Sequence, residues 1–334
     1  MRLKPVEEQV VALMGASSGI GREAALRFAE RGARVVVSAR NETGLESLVE
    51  EIRGKGGEAE SVPADAAEFE QVKAVADRAA EAYGRLDTWV HLAAVSVFAP
   101  FDETTPEEFR RVIEIDLLGQ AHGAMAALPH LKREGRGALV HVTSVVGRRA
   151  VPLQGAYCAA KHGVVGLLET LRVELRHEGW PIGVTNVMPA AINTPFFDKA
   201  RTRLEVKPKG FPPLYAPGVV AGAILYAAEK APRDIVAGGA GKGLIVGQRL
   251  SPRLMDAVLL RGGFGSQMTD EPRSEDYPDA LSGPVEGQNT TYGDFDGQTF
   301  GRSLVTWLDT HPNAKRATIA GAALGAATLL RARS

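Results

Sequence analysis

Cysteine is almost missing from this chain: Cys158 is the only one in 334 residues, so no intrachain disulfide can form. That fits a reducing compartment, and a cytoplasmic protein is expected. Excess charge of either sign is missing too, with 39 Lys+Arg against 40 Asp+Glu. There is no basic field to attract nucleic acid and no acidic field for a basic partner. The opening stretch Met1 to Gln9 has no apolar h-region, so a cleaved signal peptide is not expected. Long apolar runs are also lacking. The only membrane-like stretch, Ala317 to Leu330, is flanked by Lys315, Arg316 and Arg331. It falls short of the roughly 20 residues a spanning helix needs. Its Gly321-x-x-x-Gly325 permits close helix packing. Three readings of this tail stand side by side: a peripheral membrane contact, an oligomer contact, and a helix docked on the domain, with a stable span ranked last. His91, His122, His141 and His162 show no metal-ligand spacing, and no metal is expected.

What the chain does have is 45% hydrophobic residues, enough for a large core. Apolar runs at Val10–Met14, Ala33–Ala39, Ala59–Val62, Leu86–Ala93, Ala138–Val142, Ile182–Val187 and Asp234–Ala237 read as strands. Between them lie helical stretches at Ile20–Arg31, Glu42–Arg53, Glu68–Tyr83, Pro106–Lys132, Gly155–His177 and Pro217–Lys230. Strands without alternation, separated by helices, predict right-handed βαβ units and a parallel sheet covered on both faces. The expected fold class is therefore α/β, a doubly wound parallel sheet (Rossmann fold) of about seven strands with a C-terminal extension. Residues 1–240 are read as the catalytic domain and 241–334 as the extension. Gly238–Gly243 reads as hinge-like, and a helix is predicted near Leu250–Arg261. Residues 265–300, rich in Gly, Asp, Pro and Ser, are expected to be irregular or disordered, with an apolar helix at the end.

The first strand runs into Met14-Gly15-Ala16-Ser17-Ser18-Gly19-Ile20-Gly21, and a helix opens at once. A dinucleotide pyrophosphate sits well on a helix N-terminus, where free N–H groups and the helix dipole attract it. Glycines keep that approach clear of side chains. Gly15, Ser17, Ser18, Gly19, Ile20 and Gly21 are therefore cofactor-site candidates. An NAD site usually has an acid near the end of the second strand, for the ribose 2′-OH. Here that strand ends Ser38-Ala39-Arg40. Arg40 suits a 2′-phosphate, and Arg22 offers a second contact. NADP is expected, NAD less so.

A second pattern is Tyr157-Cys158-Ala159-Ala160-Lys161. A spacing of four puts both side chains on one helix face. A free Tyr titrates near 10 and is a poor base at neutral pH, but a nearby ammonium favours the phenolate. Ser144 follows the fifth strand, at the carboxyl edge where α/β sites lie, and can hydrogen-bond a substrate oxygen.

Together these residues resemble the short-chain dehydrogenase/reductase family, from about Val10 to Gly238. The resemblance rests on Gly15, Gly19, Gly21, Asp65, Leu86-Asp87, Ser144, Tyr157, Lys161 and Pro189 to Thr194. It implies Tyr157 as general acid/base, Lys161 as the group that lowers its pKa and holds the nicotinamide ribose, and Ser144 as the carbonyl-orienting hydroxyl. It further implies Asp65 near the adenine, Pro189, Ile192 and Thr194 around the nicotinamide, and Ala93 in the cofactor site. It also implies a homodimer or homotetramer through the helices near 107–132 and 155–177. Three departures stand out. Where the family commonly has Asn-Asn-Ala-Gly, this chain has His91-Leu92-Ala93-Ala94. The usual Pro-Gly is Pro189-Ala190, and the Asn often found as a fourth catalytic residue is Asp116. Asp116 is placed in the site, either holding a water near Lys161 or pairing with it.

The expected activity is hydride transfer between NADP(H) and a carbonyl or secondary alcohol. Aromatic and aliphatic residues between Pro195 and Tyr215, among them Phe196, Phe197, Phe211 and Leu214, suggest an apolar small-molecule substrate, with plain lid packing an equal alternative. A non-catalytic NADP-binding regulator or scaffold is the main rival, because fold alone does not fix function. The retained Ser144, Tyr157 and Lys161 argue against it. An epimerase or dehydratase on the same scaffold is a further alternative.

Overall fold

A computed structural model describes residues 3–318. The tail reading, Gly321-x-x-x-Gly325 included, lies outside the described residues. Seven parallel strands form the central sheet: β1 (Val10–Met14), β2 (Arg34–Ala39), β3 (Ala59–Pro63), β4 (Thr88–His91), β5 (Gly137–Val142), β6 (Ile182–Pro189) and β7 (Asp234–Ala237). Their spatial order is β3-β2-β1-β4-β5-β6-β7, so the direction of winding reverses between β1 and β4. This is the doubly wound α/β sheet the apolar runs predict.

Strand alternation feeds two cores at once. Val11 and Leu13 of β1 pack with Phe28, Leu48 and Ile224, which lie on α1 (Gly19–Glu30), α2 (Glu42–Gly54) and α7 (Pro217–Lys230). Val10, Ala12 and Met14 face the other layer, with Val72, Ala127 and Leu168. Those three lie on α3 (Phe69–Tyr83), α5 (Gly119–Arg133) and α6 (Gly155–His177). Each fully buried Val or Leu contributes roughly 1.5–3 kcal/mol by leaving water.

Three expectations need correction. The single helix predicted over 106–132 is broken into α4 (Pro106–Ile113), a π-helical stretch Glu114–Leu118, and α5. Its start is as predicted: Thr105 and Glu108 form a reciprocal capping box with Pro106 at the first position. Gly238–Gly243 is not a hinge, because α8 (Gly239–Leu250) begins there. A Cβ on Gly241 would lie 2.4 Å from Val145 Cγ1, so the glycine gives α8 a close seat on the body. Finally, residues 265–300 have little regular structure but are docked. Leu281 and Phe295 are buried, and Tyr277 donates to the Phe197 carbonyl at 2.6 Å. Met268–Pro272 pairs with Val206–Pro208, and Thr299–Phe300 with Leu214–Tyr215, stitching the segment to the loop after β6. The helix predicted near 250–261 is α9 (Pro252–Gly262), and α10 (Leu304–Thr310) packs against β7.

Candidate active site

One cavity of about 460 Å³ opens at the carboxyl edge of the sheet, where the winding reverses. Ligands of open α/β sheets bind at such a point. Gly15 follows β1 with φ +94°, a conformation that favours glycine. A Cβ there would sit 2.5 Å from Ala93 N, and one on Gly21 would sit 2.0 Å from the Gly15 carbonyl oxygen. Both glycines are thus needed for α1 to start directly on the turn. Ser18, the N-cap of α1, makes no side-chain cap, and Gly19 N–H donates to Thr290 O at 2.9 Å. Ser17, Ser18 and Ile20 line the cavity. A helix N-terminus at the wall of this cavity is a suitable cradle for a dinucleotide pyrophosphate.

In the middle of the cavity Tyr157 and Lys161 rise from the first turns of α6, on one face as their spacing predicts. Lys161 is fully buried, and its ammonium lies 5.1 Å from the centroid of the Tyr157 ring. Ser144 follows β5 and contacts the Tyr157 phenol. Its hydroxyl accepts from Val146 N at 3.3 Å and donates weakly to Pro189 O at 3.5 Å, so it is easily redirected. Burial pushes the phenol well above its usual value, and the charge of Asp116 adds to that.

Asp116 lies behind Lys161 rather than on the cavity wall. Its Oδ2 is 2.9 Å from Lys161 Nζ, and its Oδ1 accepts from Val95 N at 2.8 Å. Burial pushes this carboxyl above the usual carboxylate range, while Lys161 pulls it back. Of the two roles left open from the sequence, the structure has the direct pair. Asp116 sits inside the π-helical stretch, an irregularity often found at functional sites.

At the other side of the glycine turn, Arg40, Asn41 and Asp65 line the cavity. Arg40 donates to the carbonyls of Ala280 at 2.5 Å and Leu281 at 3.5 Å. Asp65 pairs with Arg111. Ala93, Pro189, Ile192 and Thr194 complete the predicted wall. Arg22 does not belong to it and is corrected here: it is buried, 2.7 Å from Glu51 of α2. Its place just after the turn suggested a phosphate contact, but the helix points it at α2 instead.

The far end is apolar. Phe196, Phe197, Phe211 and Pro212 line it, as the aromatic loop suggested, whereas Leu204 and Leu214 pack in a core cluster with Phe98 and Phe295. Sequence reading missed Leu244, Met255, Val258 and Leu259, which bring α8 and α9 to the same wall. The apolar periodicity of 244–259 was the available signal. Lys199 is also on the wall and was not anticipated. His91 is not on it: it is fully buried, its ring stacked on His141 at 6.1 Å. Among the described residues, no group of three or more His, Cys, Asp or Glu is placed to hold a metal ion, and no helix is long and apolar enough to cross a membrane.

Comparison with known proteins bears on this geometry. A family model described as short chain dehydrogenase matches residues 9–205. Uncharacterized oxidoreductase YxnA of Bacillus subtilis is 36% identical over 323 residues, 96% of this chain and 90% of that protein. That match runs on through the C-terminal extension. 3beta-hydroxysteroid dehydrogenase 1 of Eggerthella lenta is 36% identical over 189 residues, 56% of this chain and 72% of that one. An alcohol dehydrogenase of Thermococcus sibiricus, solved with 5-hydroxy-NADP, superposes with a TM-score of 0.60 at 26% identity, covering 68% of this chain and 95% of its own. A short chain dehydrogenase/reductase of Burkholderia phymatum, solved with NAD, gives 0.67 at 26% identity, covering 76% and 96%. The chain therefore belongs to the short chain dehydrogenase family of oxidoreductases, whose fold binds nicotinamide cofactors.

Proposed function

We propose that this protein transfers a hydride between NADP(H) and a carbonyl or secondary alcohol on an apolar substrate. The observation that carries the reading is the meeting of Ser144, Tyr157 and Lys161 in one cavity, beside the glycine turn and opposite an apolar end. When bound, the nicotinamide supplies or accepts the hydride. In reduction, Tyr157 gives its phenolic proton to the forming alkoxide, and Ser144 donates a hydrogen bond to the same oxygen. Proton donation of this kind is worth about 10²–10⁴-fold. Lys161 holds the ribose hydroxyls, and Asp116 fixes Lys161. Gly15, Ser17, Ser18, Gly19, Ile20 and Gly21 seat the pyrophosphate. Asp65 and Ala93 border the adenosine and ribose, and Pro189, Ile192 and Thr194 border the nicotinamide.

NADP rather than NAD is supported by Arg40 and by the lack of an acid at the end of β2. An apolar substrate is supported by the wall of Phe196, Phe211, Leu244 and Val258, and the steroid named for the Eggerthella relative is of that kind. Residues 1–240 form the catalytic unit in this reading, with 241–334 as an extension that helps build the substrate end. A homodimer or homotetramer is supported by exposed Met125 and Val173 on α5 and α6, at 59% and 69% exposure. The setting is cytoplasmic in this reading, and a peripheral membrane contact stays one of three readings of the C-terminal tail, beside an oligomer contact and a helix docked on the domain. Liposome flotation of the full chain against a 1–312 truncation tests that contact.

The function is tested with a panel of alcohols and ketones, followed by NADPH and NADH absorbance. Turnover of apolar carbonyl compounds with NADPH is expected. Tight cofactor binding with no turnover anywhere on a broad panel would return the protein to the regulatory alternative.

A further inference from the structure

We propose that Lys199 is a cofactor-binding residue that joins Arg40 in a two-cation clamp on the 2′-phosphate of the dinucleotide. The proposal rests on the NADP reading above. Lys199 comes from the loop after β6, on the substrate side of the chain order. Its ammonium nevertheless reaches back to the glycine turn and donates to Ser18 Oγ at 2.9 Å. Lys199, Ser18 and Arg40 all line the cavity. The end of β2, where Arg40 sits, is where the ribose 2′ position is read.

The state of these two cations points to an anion. Lys199 forms no ion pair among the described residues, because its neighbour Asp198 is taken by Lys207 at 2.9 Å. Nearby Arg201 and Arg203 both pair with Glu108, at 3.3 and 2.9 Å. Burial and the charge of Arg40 push the Lys199 ammonium down to about 8. Asp65 and Asp279 act on Arg40, and Asp198 on Lys199, only through space; the hydrogen-bond partners of both cations are neutral, so their donors suit an anion. The partners present are backbone carbonyls of the docked extension. Gln288 O faces Lys199 at 3.5 Å, and Ala280 O and Leu281 O face Arg40. Phosphate oxygens make stronger, charge-assisted bonds to the same donors. Arg40 supplies the planar fork and Lys199 the point charge.

The competing anion is the pyrophosphate at the α1 N-terminus, and nucleotide choice separates the two. Dissociation constants for NADPH and NADH are measured by fluorescence titration of the full-length protein, Lys199→Met, Lys199→Arg, Arg40→Met and the double variant. Lys199→Met is expected to weaken NADPH about 10- to 100-fold and NADH less than about 2-fold. Lys199→Arg is expected to restore most of the loss. The double variant should lose less than the product of the single losses, because both cations hold one phosphate. Equal losses for the two nucleotides in a protein that still unfolds cooperatively overturn the proposal in favour of the pyrophosphate. Unchanged NADPH affinity overturns it outright. If Lys199→Met does not fold, Lys199→Gln carries the same comparison. Wild-type protein that binds NADH as tightly as NADPH refutes the underlying NADP reading before any variant is made.

Discussion

The Asp116 carboxylate lies 2.9 Å from the Lys161 ammonium, and neither side chain is exposed. Lys161 by itself would favour the phenolate of Tyr157, but Asp116 cancels its charge. Burial then pushes the phenol further up. The phenol is thereby kept neutral across the physiological range, which in the proposed reaction suits it to give a proton in carbonyl reduction. Alcohol oxidation, which needs the phenolate, should rise with pH.

Substituting Asp116→Asn keeps an acceptor for Val95 N and removes the negative charge. The rising limb of kcat/KM against pH for alcohol oxidation should move down by about one pH unit or more. Asp116→Ala removes the acceptor as well, leaving Lys161 buried with neither countercharge nor hydrogen-bond partner there, and Val95 N–H without its own. Urea unfolding should show a loss of roughly 3–5 kcal/mol. Asp116 has no part in the site if both variants keep the wild-type pH profile and stability.

Tyr157→Phe keeps the ring, its contact with Phe196 at 5.8 Å between centroids, and its place beside Lys161. It removes only the hydroxyl, and with it the transferable proton. Turnover of a good ketone substrate should fall about 10²–10⁴-fold, with cofactor affinity nearly unchanged. Stopped-flow hydride transfer at saturating ketone measures the effect, and near-full activity removes Tyr157 from its role.

Gly15→Ala probes the turn. The new methyl must take φ +94° and meet Ala93 N at 2.5 Å. The conformation alone costs roughly 1–2 kcal/mol, and the backbone contact adds to it. Thermal unfolding should fall and cofactor affinity with it. A variant with wild-type melting would mean that the turn has room the packing denies.

Much of this was legible in the residues, for identifiable reasons. The strands of a sheet covered on both faces must be apolar runs, so β1 and β5 could be read directly. The bounds of α6 and α7 agreed with their patterns because Gly155 and Pro217 punctuate their starts. Tyr157 and Lys161 could be paired because four residues is one helical turn. The π-helical stretch was hidden, since Glu114-Ile115-Asp116-Leu117-Leu118 is ordinary helix composition and its irregularity accompanies the tertiary bonds of Asp116. Arg22 misled because closeness in sequence to Gly21 says nothing about which way the helix turns it. Lys199 was invisible for the opposite reason: it meets Ser18 from 181 positions away.

The ordinary Asn of this family is His91 here, and its burial has a consequence for acid stability. His91 and His141 are both fully buried, and among the described residues neither ring nitrogen of His91 has a partner. His141 Nδ1 meets Gln120 Oε1 at 2.6 Å. Burial drives His91 well below its usual value and His141 down to about 3. The folded protein therefore resists protons that the unfolded chain takes up below about 6.5. Stability is fully present above that value and is lost as pH falls toward the folded-state values. Between pH 6 and 4 His141 should cost roughly 2.5 kcal/mol, and His91 adds a loss of the same sign. Urea midpoints of wild type and His91→Asn across that range measure the His91 share, because carboxylates contribute alike to both proteins and cancel. The variant should be less acid-sensitive; curves that fall in parallel would show that His91 takes up its proton as readily in the folded state as in the unfolded one.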